Sequence, residues 1–276
     1  MQSWPADGVE SVAYCPVCGE ASREVMYTDL VDNAYRVAPG KWTLWKCIQC
    51  GSAYLDPRPT RDLIHLAYSN YYTHRVLRRK DDYTSLNALR KLRRRLVNGY
   101  TDWRYSSGEE PASHWGILVL LALLPQRRRL DSEYRHSPRR PVNGGKLLDV
   151  GCGDGSFLRV ATRCDWHATG LDPDVNAVAS CRSNALDVLH GGIERFGAVE
   201  SRFDVITLNH VIEHVPDPIE LLRSCYRLLK LGGQLWLQTP NIDSLGSRRY
   251  GRHWRGLEPP RHLVLFDPVS LRSALH

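Results

Sequence analysis

The stretch NHVIEHVPDP, Asn209 to Pro218, places His210, Glu213 and His214 in an H-x-x-E-H pattern, the spacing with which one helix presents two imidazoles to zinc beside a carboxylate base. Such a pair needs a stable helix, a third protein ligand and an open position for water. The flanks oppose it. FDVITL, Phe203 to Leu208, is short, apolar and β-branched like a buried strand, and Pro216 and Pro218 follow closely enough to break a long helix. The histidines are therefore expected at a strand's end, where an imidazole with an ordinary pKa of about 6.5 can accept a proton from a hydroxyl or a carbon acid. His210 is one candidate for that work. His262, in GRHWRGLEPPRHLVLF with Glu258 and His253 near it, is the other; for each, a structural or surface role is the competing reading. Trp254 and Arg255 in the same loop could clamp an acceptor by stacking and charge.

A second set of chemically capable residues lies near the N-terminus. Cys15-Pro-Val-Cys18 and Cys47-Ile-Gln-Cys50 are two C-x-x-C pairs, each followed by glycine, with 28 residues between them. Each pair sets two thiolates on one side of a tight turn, and two such knuckles make a closed tetrahedral site, so structural zinc is the expected occupant. A redox disulfide and an iron–sulfur cluster are the alternatives. With four sulfurs a zinc ion would fold the module and catalyse nothing. Cys152, Cys164, Cys181 and Cys225 are scattered singly and read as free thiols.

The third set is a glycine turn. KLLDVGCGDGSFLRVA, Lys146 to Ala161, reads as a buried strand, a turn and the start of a helix, but Gly151-x-Gly153-x-Gly155 departs from the dinucleotide G-x-G-x-x-G. Asp149 and Asp154 put carboxylates around the turn, which disfavours phosphate and suits a cationic ligand. HATGLD, a second strand, ends in Asp172, 21 residues past Gly151, where a carboxylate can accept both hydroxyls of a ribose. A nucleoside without phosphate is the inference. A third short strand over 187–189 precedes Gly191-Gly192; FDVITLN is the fourth strand, PIELLRSCYRLLKLGG an amphipathic helix closed by Gly232-Gly233, and QLWLQTPN the fifth.

Taken together, LLDVGCGDGSFL, GLDPD, FDVITLNHVIEHVPDP and LLKLGGQLWLQTPN resemble class I S-adenosylmethionine-dependent methyltransferases. The resemblance implies a Rossmann-like α/β sheet with S-adenosylmethionine as cofactor. It also implies that Gly151, Gly153 and the backbone near Asp149 hold the methionine portion, that Asp172 holds the ribose, and that Asn209 and His210 line the wall beside the sulfonium. More narrowly, the cysteine module, DPRP (Asp56 to Pro59) and WRGLEPPRHL resemble bacterial methyltransferases encoded with polysaccharide and sugar-modification enzymes, which implies a small-molecule or sugar/glycan acceptor. Two alternatives stay open: a zinc-ribbon RNA-base methyltransferase, and a truncated, non-enzymatic cofactor-binding or membrane-associated remnant.

The 276 residues suffice for one large α/β domain and a smaller module. The net charge of +7 is local: residues 75–140 hold 16 Lys/Arg against 7 Asp/Glu. That segment reads as a helical linker, as an interfacial membrane helix through 116–130, or as a nucleic-acid patch; its apolar run, Gly116 to Pro125, is too short to span a bilayer, which needs about 20 apolar residues. The expected domains are a zinc ribbon at 1–74, a basic, mostly helical insert at 75–143 and a methyltransferase domain at 144–276. MQSWPADGVE lacks the n- and h-regions of a secretory signal, so a cytoplasmic location is expected. Related domains have seven strands, and LFDPVSLRSALH reads as a closing helix. A C-terminally truncated sheet is therefore expected, with LWLQT a bare edge through which chains could pair into oligomers.

Overall fold

The computed structural model describes residues 4–68, 83–135 and 144–276. They form two compact units that do not follow chain order. One combines the N-terminal residues with Asn209–Tyr226 and Leu237–His276; the other combines the residues from 83 to Leu208 with Arg227–Trp236.

In the first unit, β1 (Val9–Glu10) pairs antiparallel with β5 (Arg58–Pro59), and Arg58 reaches Glu10 at 2.7 Å. Between them β2 (Arg23–Leu30), β3 (Trp42–Cys47) and β4 (Ala53–Leu55) form an antiparallel sheet. Leu30, Trp42, Leu44 and Leu55 point into a core that also takes Trp4, whose ring meets Trp42 edge-on at 5.3 Å. So small a sheet buries little on its own, and later residues complete its core: Ile242, Leu257 and Leu265 belong to the same cluster, with Trp254 packed against it.

The second unit begins with α1 (Ala88–Tyr105), α2 (Trp115–Ala122) and α3 (Leu124–Glu133). The Asn87 side chain starts α1 by accepting the Arg90 N–H at 2.9 Å. Buried Asp131 of α3 accepts the hydroxyls of Tyr100 and Tyr105 of α1, both at 2.7 Å. On α2, Trp115, Leu118 and Leu121 are exposed, and Arg127, Arg128 and Arg129 follow on α3. Among the described residues no helix is long and apolar enough to cross a membrane.

The sheet of this unit comprises β6 (Gly145–Val150), β7 (Trp166–Asp172), β8 (Val188–His190), β9 (Phe203–Asn209) and β10 (Leu229–Gln238). Helices α4 (Ser156–Arg163), α5 (Val175–Ser183) and α6 (Pro218–Leu228) lie between the strands in sequence. Strand order is β10-β9-β6-β7-β8, with β6 parallel to both β7 and β9 and β7 parallel to β8. Renumbered within the sheet, this is the 3-2-1-4-5 order of a Rossmann-like fold, as expected, with its switch point between β6 and β9. Leu147 and Val205 pack with Phe157, Ala161 and Trp166, and that cluster includes Tyr105 and Tyr134, whose rings stack at 4.6 Å. Cys152, Cys164, Cys181 and Cys225 are buried free thiols; burial pushes Cys164 up to about 11 and Cys225 up to about 12, so both stay protonated and inert.

Two features differ from the sequence reading. The helix expected to run to Gly232-Gly233 stops at Leu228, and Leu229–Gly233 extend β10. The L-L-K-L run carries helical spacing, but Leu228 already accepts the Arg202 N–H at 2.8 Å and Lys230 pairs with Asp204 at 2.8 Å, which draws the chain to the sheet. Second, α7 (Leu245–Tyr250), β11 (Val264–Leu265) and α8 (Pro268–Ala274) group with the N-terminal strands and not with the parallel sheet. Val264 pairs with Tyr54 and Leu265 with Ala53, giving the sheet order β11-β4-β3-β2. The parallel sheet has β10 at one edge, and among the described residues no strand lies beyond it. Of the expected domain limits, 74/75 falls outside the described residues and 143/144 at their margin.

Candidate functional site

At the carboxyl end of β6 the chain turns through Gly151, Gly153 and Gly155, whose φ angles of 67°, 54° and 71° lie where side chains are strained. A Cβ on Gly155 would strike Leu186 and Cys181 at 2.5 and 2.8 Å, whereas Gly153 faces open space. The Gly153 N–H donates to Asp172 Oδ2 at 2.8 Å and the Asp174 N–H to Oδ1 at 2.9 Å. Asp172, at the end of β7, is thus held beside the turn while each oxygen keeps a lone pair for another donor. Its burial raises the carboxyl pKa, opposed by those two N–H groups.

Asp149 shares this end of β6. The side chain is fully buried and ion-paired with Arg135; Oδ1 also accepts the Thr207 hydroxyl at 2.8 Å, and Oδ2 has no partner. Burial raises its pKa against the pull of Arg135. The Arg135 guanidinium lies 3.9 Å over the Phe157 ring and 5.7 Å from that of Trp236. Arg135 was not singled out from sequence, because it lies in a basic segment whose composition reads as solvated surface.

The other unit holds the histidines. Asn209 ends β9; His210 follows at φ 56°, with its N–H on the Gln238 carbonyl at 2.9 Å. Only one 3-10 turn, Ile212–His214, follows, so the helix a zinc-protease pair requires is absent from this stretch. His210 Nδ1 meets Glu213 Oε1 at 3.0 Å, and Glu213 Oε2 accepts the Thr239 hydroxyl at 3.0 Å. Burial pushes the Glu213 carboxyl up, but the His210 hydrogen bond and the neighbouring histidines outweigh it and leave its pKa below the usual value. His214 Nδ1 lies 3.0 Å from the Arg261 carbonyl and 2.9 Å from the Tyr68 hydroxyl; His262 Nδ1 lies 2.8 Å from the Gly256 carbonyl. The two rings meet edge-on at 4.7 Å. Burial lowers both imidazoles, His262 to about 3, which makes His262 a weak proton acceptor near neutrality. Trp254 lies against Gly256 and the unit's core, which gives its ring a packing role. Tyr68 was not foreseen, since its partner is 146 residues away.

The four paired cysteines converge as their spacing requires. Cys15 and Cys50 sulfurs are 3.7 Å apart, Cys18 and Cys47 3.5 Å, and all four lie within 4.8 Å of one another. Gly19 and Gly51, at φ 77° and 81°, close the knuckles by donating to the Cys15 and Cys47 carbonyls. A tetrahedral ion with metal–sulfur bonds of about 2.3 Å sets its sulfurs about 3.8 Å apart, close to this arrangement.

A family model described as a methyltransferase domain matches residues 125–276. Among curated proteins the chain is similar to the ubiquinone biosynthesis O-methyltransferases of Pseudomonas aeruginosa, 34% identical over 110 residues, and of Xanthomonas oryzae pv. oryzae, 37% identical over 112 residues. These alignments cover 37% and 38% of this chain and 47% of each relative, so the chain spans about half the length of the curated relatives it matches. Among solved structures, a SAM-dependent methyltransferase from Archaeoglobus fulgidus aligns at 24% identity and a TM-score of 0.44 over 59% of this chain and 67% of that one. With the family model covering more than half of its residues, the chain belongs to the methyltransferase-domain family.

Proposed function

We propose that the chain transfers a methyl group from S-adenosylmethionine to a small-molecule or sugar/glycan acceptor, with a structural zinc on Cys15, Cys18, Cys47 and Cys50. The observation that carries the reading is the β6 turn: open at Gly153, closed on Asp172, with an unpartnered carboxylate oxygen buried at Asp149. These residues fit the cofactor. Asp172 offers lone pairs to two ribose hydroxyls, the turn at Gly151 and Gly153 admits close backbone approach, and buried negative charge suits a cationic ligand. Bound there, S-adenosylmethionine supplies an electrophilic methyl group on a good leaving group, so the protein's task is alignment and exclusion of water. Calorimetry tests it: the chain binds S-adenosylmethionine and not NAD, and Asp172→Ala weakens binding by about 1–3 kcal/mol. Unchanged affinity in that variant would remove the ribose assignment.

His210 is the proton acceptor in this proposal, because buried Glu213 orients its ring and can stabilise the imidazolium that forms. A hydroxyl acceptor is supported by the names of the curated relatives, which are O-methyltransferases. With nucleotide-sugar, glycan and small-molecule hydroxyl acceptors screened, His210→Ala should lower the chemical rate at least tenfold and leave cofactor affinity unchanged. A smaller loss means that alignment alone drives transfer. Exposed Arg90, Arg93 and Arg95 on α1 favour a second reading, an RNA acceptor. A shift assay with ribosomal RNA oligonucleotides across salt separates the two.

A further inference from the structure

We propose that Glu213, His214 and His262 form a second metal site, distinct from the four cysteines, that holds one divalent transition-metal ion through two imidazole nitrogens and a carboxylate oxygen. The inference uses residues of the N-terminal unit alone and goes beyond the methyl-transfer reading. One ligand atom from each of the three side chains lies within 4.8 Å of the others. Closing that distance to about 3–3.5 Å around an ion with bonds of about 2.0–2.2 Å is a matter of small side-chain shifts.

The independent observation is the state in which the rings are held. A backbone carbonyl can only accept, so the Gly256 carbonyl fixes the proton of His262 on Nδ1, and the Arg261 carbonyl favours the same tautomer for His214, with the Tyr68 hydroxyl beside that nitrogen then acting as a second acceptor. Each Nε2 is left with its lone pair, the arrangement by which metal-bound histidines are oriented through their other ring nitrogen. Charge points the same way. Asp32, Glu213 and Glu258 are three buried or nearly buried carboxylates, while Arg261 is committed to Asp32 and stands 3.8 Å from Glu258, and largely exposed Arg255 stands 3.9 Å from it. A dication would balance the excess. Glu258 Oε2, 3.8 Å from His262 Nε2, can supply a further oxygen. Two imidazoles with one or two carboxylates suit manganese, iron, cobalt or zinc rather than calcium.

The experiment titrates the full chain with Mn2+, which thiolates bind poorly, after mild chelation that spares the cysteine site. Free Mn2+ is followed by its EPR signal and bound Mn2+ by pulsed EPR. The expected result is one bound ion per chain carrying couplings from two imidazole nitrogens. Glu213→Gln and His262→Gln each weaken binding at least tenfold, and His253→Gln, at an exposed neighbouring histidine, leaves it unchanged. Absence of stoichiometric binding overturns the proposal, as does bound Mn2+ without nitrogen couplings. Because the couplings are read in the unsubstituted chain, a variant that fails to fold does not remove the test. S-adenosylmethionine binding is measured on the same sample, so failure here is distinguishable from failure of the methyl-transfer reading.

Discussion

Asp32→Ala is expected to destabilise the N-terminal unit by roughly 3–5 kcal/mol, the usual consequence of stranding one member of a buried ion pair. Arg261 and Asp32 are both almost wholly inaccessible, and the guanidinium also donates to the Ala67 carbonyl at 3.0 Å and stacks on Tyr35 at 4.5 Å. With Asp32 removed, a charge that cannot reach water keeps that carbonyl, that ring and the more distant Glu258 carboxylate at 3.8 Å. Urea unfolding followed by the fluorescence of Trp4 and Trp42, which lie in the same core, reads the loss. The double variant Asp32→Leu, Arg261→Met should recover much of it, because an apolar pair of similar volume carries no desolvation cost. Acid has a related effect. Burial would raise the Asp32 pKa, but Arg261 and the N–H groups of Tyr35, Val37 and Ala38 hold it at about 2, below its ordinary 3.8. A carboxyl depressed in the folded state contributes its stability fully above about pH 4 and loses it as the pH falls toward 2. Full stability of Asp32→Ala at neutral pH would show that the unit does not depend on the pair.

The other large effect follows from the zinc proposed for the cysteine site, whose removal is expected to cost on the order of 10 kcal/mol. Cys47→Ser, or a strong chelator, should abolish one tightly bound zinc per chain and melt the N-terminal unit, while affinity for S-adenosylmethionine, placed on residues of the other unit, persists. Elemental analysis and near-ultraviolet circular dichroism check the two halves of the expectation. The hydrogen bond from Cys50 pulls the Cys15 thiol down to about 4, and the same contact pushes Cys50 up. A well-folded wild type without metal is incompatible with the zinc proposal.

Much of the second unit was legible in the residues. The glycine turn, Asp172 and the short apolar strands each carry a local pattern, and the parallel order follows from alternating strands and helices. The convergence of the cysteines was legible because thiolate pairs at this spacing have few other uses. Other features depend on partners far along the chain. β11 is two residues long, too short for any period, and Val264 finds Tyr54 only through the fold. Arg135 and Arg261 look like surface charges until Asp149 and Asp32 are seen beside them. The H-x-x-E-H spacing was a distraction in one sense and informative in another. His210 and His214 do not act as a helical pair, but Glu213 and His214 meet His262, which lies 48 residues beyond His214 and which no local motif connects to them.

The pairing of β4 with β11 has a consequence for biosynthesis. At about 5–20 residues per second, the 210 positions separating Tyr54 from Val264 take about 10–40 s to translate. During that interval β4 has left the ribosome with one side of its backbone unsatisfied, and Ile242, Leu257 and Leu265 have yet to close the core around Trp42. An early metal-bound cysteine knuckle would hold β3 and β4 in register while they wait, and a nascent chain arrested before Val264 should present that strand as a site for chaperone capture.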